Sequence, residues 1–228
     1  MNKKPFIQVA GVIDLDEAKM LMDLGVEYLG FPLRLPVNKE DLSEEEAIQV
    51  IKQIKPQHKA VLITYLDKAD EIIEFCNKLN VNHVQLHGAI EVDQLILLKQ
   101  KRTDLIIIKS LVVRNNNLGE LKNSLLTLSP FVDFFITDTF DPSTGASGAT
   151  GKTHDWNISK KLINLSSKPV IIAGGLNHKN VKDAILHTHP AGVDVHTGIE
   201  DSNGRKDFTL TNLFIKETTE AFESMKEN

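Results

Sequence analysis

Cysteine is nearly missing from this chain: Cys76 is the only one in 228 residues. An intramolecular disulfide and a cysteine-built zinc site are therefore excluded, and a cytoplasmic setting is the simple expectation. Cys76 itself shares a helical stripe with Ile72, Ile73 and Leu79, which assigns it to the core. Excess positive charge is also lacking. With a formal net charge of -5 and lysines and arginines scattered along the chain, neither nucleic acid nor an anionic membrane is an expected partner. No apolar run approaches membrane-spanning length, and Met1 to Pro5 leads straight into a strand with no leader-like segment. There is no dinucleotide fingerprint and no metal-ligand cluster, so neither a cofactor nor a metal is expected.

What is present is an ordinary globular composition, 41% apolar and 25% charged, enough to bury a sizeable core. Two glycine-bearing segments near the C-terminal end stand out. Val170-Ile171-Ile172-Ala173-Gly174-Gly175-Leu176-Asn177 and Gly192-Val193-Asp194-Val195-His196-Thr197-Gly198 each read as a buried strand running into glycines and then a helix. Asn177 is placed to cap the helix that carries Val181, Ala184 and Ile185. Such turns leave backbone N–H groups facing the open end of a sheet, where a phosphate would sit. Two of them on consecutive strands favour phosphate binding over ordinary strand-to-helix turns.

The rest of the chain repeats one unit. Strands are expected at Phe6–Val12, Tyr28–Leu33, Ala60–Tyr65, His83–Gly88, Leu105–Val113 and Phe134–Thr139, ahead of the two just described. Between them lie helices: one opened by Asp14, then Glu44–Ile54 with a Ser43/Glu46 capping box, Ala69–Leu79, Glu91–Lys99, Leu118–Leu128 and one beginning at Asp155-Trp156. Phe208–Phe222 supplies the last helix. The segment 141–153 is small and polar throughout, which suits either a flap over a ligand or a surface excursion. Eight βα units with no linker predict one domain over residues 1–228, a single (β/α)8 barrel. A doubly wound open sheet is the alternative, less favoured because the polar and glycine-bearing strand ends share one face only if the sheet closes.

Gln8-Val9-Ala10-Gly11, Gly30-Phe31, Val84-Gln85-Leu86-His87-Gly88, Asp138-Thr139, Gly148-Ala149-Thr150-Gly151 before Asp155-Trp156, Ala173-Gly174-Gly175-Leu176 with Asn180-Val181, and Gly192-Val193-Asp194-Val195 with Gly198-Ile199-Glu200 occur in order over nearly the whole chain. Together they resemble the phosphoribosylanthranilate isomerases of tryptophan biosynthesis. The resemblance implies an Amadori rearrangement: an N-phosphoribosylated amine opens its ring, forms a Schiff base, loses its C2 proton and ends as an aminoketose. An acid must protonate the ring oxygen and a base must take the C2 proton from the other side. The family's acid carries over to Asp138, which alone would read equally well as a turn-capping carboxylate. Gly151, Gly174, Gly175, Asp194, Thr197 and Gly198 carry over as the phosphate- and substrate-binding set, with His87 orienting the substrate. The implied partner is a small phosphorylated sugar, handled by a monomer or a homodimer.

Three features depart from the family: the base, the pair after strand eight and the amine-side arginine. Ala10 stands where the family has its cysteine base, and Gln8 where a lysine is usual. His196-Thr197 replaces a pair of serines; His196 then either takes over as base or donates a hydrogen bond to the ligand phosphate. Arg34 is the candidate for the anthranilate carboxylate, although the spacing around it differs. Two further readings stay open: aldol or lyase chemistry with Lys109 pointing into the barrel mouth, and a non-catalytic phosphometabolite-binding protein.

Overall fold

The computed structural model describes residues 5–36, 40–114, 116–139 and 155–227. Eight parallel strands close into a barrel in chain order: β1 (Phe6–Ala10), β2 (Tyr28–Pro32), β3 (Lys59–Thr64), β4 (His83–Leu86), β5 (Ile106–Val113), β6 (Phe134–Thr139), β7 (Val170–Ile172) and β8 (Gly192–Val195). The helices that follow them are α1 (Leu15–Asp23), α2 (Glu44–Ile51), α3 (Ala69–Leu79), α4 (Val92–Lys101), α5 (Leu118–Leu128), α6 (Trp156–Leu165), α7 (Val181–Thr188) and α8 (Phe208–Glu227). The expected (β/α)8 barrel is the observed fold.

Local chemistry sets several of these boundaries. Asp14 accepts from the Glu17 N–H to start α1, and Gly25, at φ +84°, follows its end. Ser43 and Glu46 form the full capping box of α2, and the Asp155 carboxylate caps α6. Some expectations shift. The helix α2 stops at Ile51 rather than Ile54, α8 runs on to Glu227 rather than Phe222, and α7 starts after Asn180 with no side-chain cap, while Asn177 accepts from the Lys179 N–H just before it.

The sheet has two apolar faces. Phe6, Ala10, Val61, Ile63, Ile108, Ile136, Ile171 and Ala173 fill the barrel interior, while the alternate residues pack outward against the helices. At the N-terminal end of the barrel Phe6 stacks on Tyr28 at 3.7 Å between ring centroids, and Phe134 lies 5.4 Å from Phe6. That aromatic floor seals one end. Closure of β8 on β1 needs Gly192, since a Cβ there would lie 2.1 Å from the Phe6 carbonyl oxygen. Among the described residues no helix is long and apolar enough to cross a membrane.

Candidate active site

The inward alternation that builds the floor from rings delivers polar side chains nearer the other end of the strands. From β1 comes Gln8, from β4 and its end Gln85 and His87, from β5 Ser110, from β6 Asp138, and from β8 and its end Asp194 and His196. They form one network. Gln8 Nε2 donates to Gln85 Oε1 at 2.8 Å, and His87 Nδ1 lies 3.0 Å from Ser110 Oγ and 3.8 Å from Asp138 Oδ2. Asp138 Oδ1 accepts the Thr139 N–H at 2.7 Å. Polar groups buried this deeply on one rim point to a ligand site.

Burial raises the Asp138 carboxyl above its ordinary pKa, against the pull of His87 and the Thr139 N–H. Asp194 is pushed up to about 7, first by burial and then by the charge of Asp138, with Gln8 and Lys206 acting the other way. Burial thus raises both carboxyls, and the charge of Asp138 raises Asp194 further.

His196 lies beside the end of β1. A Cβ on Gly11, which sits at φ +75°, would fall 2.1 Å from His196 Nε2, so the imidazole occupies the space a side chain at Gly11 would need. Its basicity is another matter. Burial, then the Lys206 ammonium, push the imidazole down to about 3, leaving it neutral through the physiological range. Glu200 Oε1 lies 3.5 Å from His196 Nε2 and accepts from Lys206 Nζ at 2.6 Å. The backbone N–H of Lys206 donates to Glu17 Oε1 at 2.7 Å. This Glu17–Lys206–Glu200 chain went unread in the sequence, because 189 residues separate Glu17 from Lys206.

The two glycine segments meet. Gly174 and Gly175 have φ of +95° and +64°, a backbone that L side chains rarely adopt. Gly198, in a short 3-10 turn over Thr197–Ile199, packs so closely that its Cβ would lie 1.8 Å from the Leu176 carbonyl oxygen. Asn180 Nδ2 ties this rim by donating to the Gly175 carbonyl at 3.0 Å. Gly151 and the 141–153 segment lie outside the described residues.

Two other candidates sit differently from expectation. Arg34, at φ +55°, directs its guanidinium to Glu44, with Nε 2.8 Å from Oε1, and lies 3.8 Å above the Phe75 ring. It thereby holds the Glu44 carboxyl down to about 2 and engages the helical layer. Lys109 does not point into the mouth, which corrects the aldol or lyase reading. It lies between inward Ile108 and Ser110 on the strand, so alternation turns it to the outer side with Ile107 and Leu111. Its Nζ donates to the carbonyls of Leu86, Gly88 and Ser110 at 3.1, 2.8 and 3.0 Å, and burial pushes the amine down to about 8. Borohydride treatment in the presence of phosphorylated ketoses is therefore expected to leave the mass of Lys109-containing peptides unchanged. A trapped adduct at Lys109 would refute this placement.

Comparison with known proteins follows the same line. The family described as N-(5'phosphoribosyl)anthranilate (PRA) isomerase matches residues 7–217. The chain is 36% identical over 205 residues to N-(5'-phosphoribosyl)anthranilate isomerase 2 of Methanosarcina mazei, covering 88% of each. It superimposes on the crystal structure of phosphoribosyl anthranilate isomerase from Thermotoga maritima with a TM-score of 0.80 at 26% identity, covering 95% of this chain and 100% of that one. A further structure of such an isomerase, in complex with reduced 1-(o-carboxyphenylamino)-1-deoxyribulose 5-phosphate, shares the fold at a TM-score of 0.78 and 24% identity over 95% of this chain and all of that one.

Proposed function

The chain belongs to the N-(5'-phosphoribosyl)anthranilate isomerase family, and from this we propose that it isomerises an N-(5-phosphoribosyl)amine, the anthranilate compound foremost, to the 1-amino-1-deoxyketose 5-phosphate. That is the Amadori step of tryptophan biosynthesis. The observation that carries the reading is the buried carboxyl of Asp138, its pKa raised by that burial, on the same barrel rim as the two converging glycine turns.

Each group has a task that its position supports. Backbone N–H groups around Gly174, Gly175, Thr197 and Gly198 hold the 5-phosphate, with Gly151 carried over to the same role from the family resemblance. Asp138 gives its proton to the ring oxygen as the ring opens. His87, fixed through Ser110, orients the sugar, and Asp194 faces it from β8. Of the two roles open to His196 we assign the second, a neutral imidazole hydrogen-bonding the ligand, because its lowered basicity suits it poorly to accept a carbon-bound proton. Arg34 remains available to the amine's carboxylate only by leaving Glu44. Proton shuttling of this kind calls for no metal or redox cofactor. We place the enzyme in the cytoplasm, working as a monomer or a homodimer.

The test is direct. Purified protein supplied with phosphoribosylanthranilate is expected to form the carboxyphenylamino-deoxyribulose phosphate. Tight binding of the substrate with no conversion would instead establish a phosphometabolite-binding protein.

A further inference from the structure

If Ala10 offers no proton acceptor and His196 is a weak one, some other group must remove the C2 proton. We propose that Asp194 is that group, set across the barrel mouth from Asp138; the inference rests on the isomerase reading above.

The register of the sheet places the two carboxyls. Thr137 pairs with Ile172 and Ile172 with Val193 across β6, β7 and β8. One residue further along, Asp138, Ala173 and Asp194 share a rung, and the Ala173 N–H to Thr137 carbonyl bond of 3.0 Å continues the β6–β7 ladder to that point. All three face inward, with only the Ala173 methyl on the strand between the acids. Strands two apart in a sheet are separated by about 10 Å, and inward side chains shorten that to roughly the width of a sugar ring. The acids can therefore address opposite sides of one sugar.

A second observation concerns satisfaction. Asp194 is 7% exposed, and its Oδ1 is buried with no hydrogen-bond partner among the described residues. Gln8, its register partner on β1, likewise has a buried Oε1 without one. Gln8 and Asp194 already engage one another through their side chains, and a bound substrate would supply partners for the oxygens left over. Asp138 on β6, His87 behind it on β4, Lys206 after β8 and His196 at the strand's own end are the titratable groups around Asp194. Burial and then the charge of Asp138 raise Asp194 to about 7, so that Asp194 becomes able to accept a proton as the pH passes through neutral.

The steps balance. Asp138 gives its proton to the ring oxygen, the C1–O bond breaks, and the nitrogen lone pair forms the C1=N iminium. Ionised Asp194 takes the C2 proton; the C–H electrons become the C1=C2 bond and the iminium π pair returns to nitrogen. The enaminol then becomes the ketone as Asp194 returns its proton to C1 and the C2 hydroxyl proton passes to Asp138, restoring both acids.

Asp194→Asn is expected to lower kcat for phosphoribosylanthranilate by about 10²- to 10⁴-fold and to remove the rise in rate through about pH 7, with the Kd of a reduced product analogue within about threefold of the parent. Retention of more than a tenth of kcat overturns the proposal, as does a full loss in His196→Ala beside an active Asp194→Asn. Should the Asn variant not fold, Asp194→Glu decides: the same charge displaced by a methylene is expected to cost about 10²-fold in kcat, and an unchanged kcat overturns it. A parent protein that binds the analogue but never converts substrate sinks the isomerase reading itself, and the acid pair with it.

Discussion

Asp138→Asn is expected to reduce kcat for phosphoribosylanthranilate by about 10³-fold, in the middle of the range for a lost general acid, while the product analogue still binds. The amide is close to isosteric and can still receive the Thr139 N–H through its oxygen, so the end of β6 should keep its geometry. What it cannot do is give up a proton to the ring oxygen. The same change takes away the negative charge that helps raise Asp194, whose pKa should fall, moving the acidic limb of the rate profile downward. Steady-state kinetics between pH 5 and pH 9 check both effects. A variant with parental kcat would remove Asp138 from the chemistry.

The second large effect is structural and falls on binding. Gly198→Ala places a methyl carbon 1.8 Å from the Leu176 carbonyl oxygen and 3.1 Å from the Asn177 Cβ, and the obstacle is backbone rather than a movable side chain. The loop carrying Gly174 and Gly175 must shift, and with it the N–H groups proposed to hold the phosphate. Charge-assisted hydrogen bonds are worth about 1.5–3 kcal/mol each, so loss of one is expected to weaken analogue affinity by about 10- to 100-fold. Gly119→Ala serves as the control. Gly119 lies in α5, and a methyl added there would meet nothing within 4 Å, so that variant should keep its affinity and gain about 0.5–1 kcal/mol of stability. Calorimetric titration with the analogue separates the two, and equal affinities would detach Gly198 from the phosphate rim.

Much of the barrel can be read from local chemistry because each unit carries its own punctuation. Ser43 with Glu46, and Asp14, are caps whose partners lie within three residues and both appear as expected, and the helix expected to begin at Asp155-Trp156 does so. Facing was harder. The strand around Lys109 is apolar on both sides, since a barrel strand is buried against the interior and against the helices, so it shows no alternation to fix which way the lysine turns. Position on the rim was legible for Asp138 and His196, but protonation was not. The low basicity of His196 comes first from burial and then from Lys206, ten residues further along and brought close by Glu200. Arg34 shows the same limit, as its partners Glu44 and Phe75 come from two different helices. The pairing of Asp138 with Asp194 needed the register of three strands.

A crystal structure with the reduced aminoketose phosphate bound tests the central claim most directly. Its phosphate should lie against the backbone of Gly174, Gly175, Thr197 and Gly198, and its sugar chain between the carboxyls, with Asp138 and Asp194 each within about 3.2 Å of a ligand atom. A phosphate seated elsewhere, or a sugar chain beyond reach of Asp138, would contradict the account.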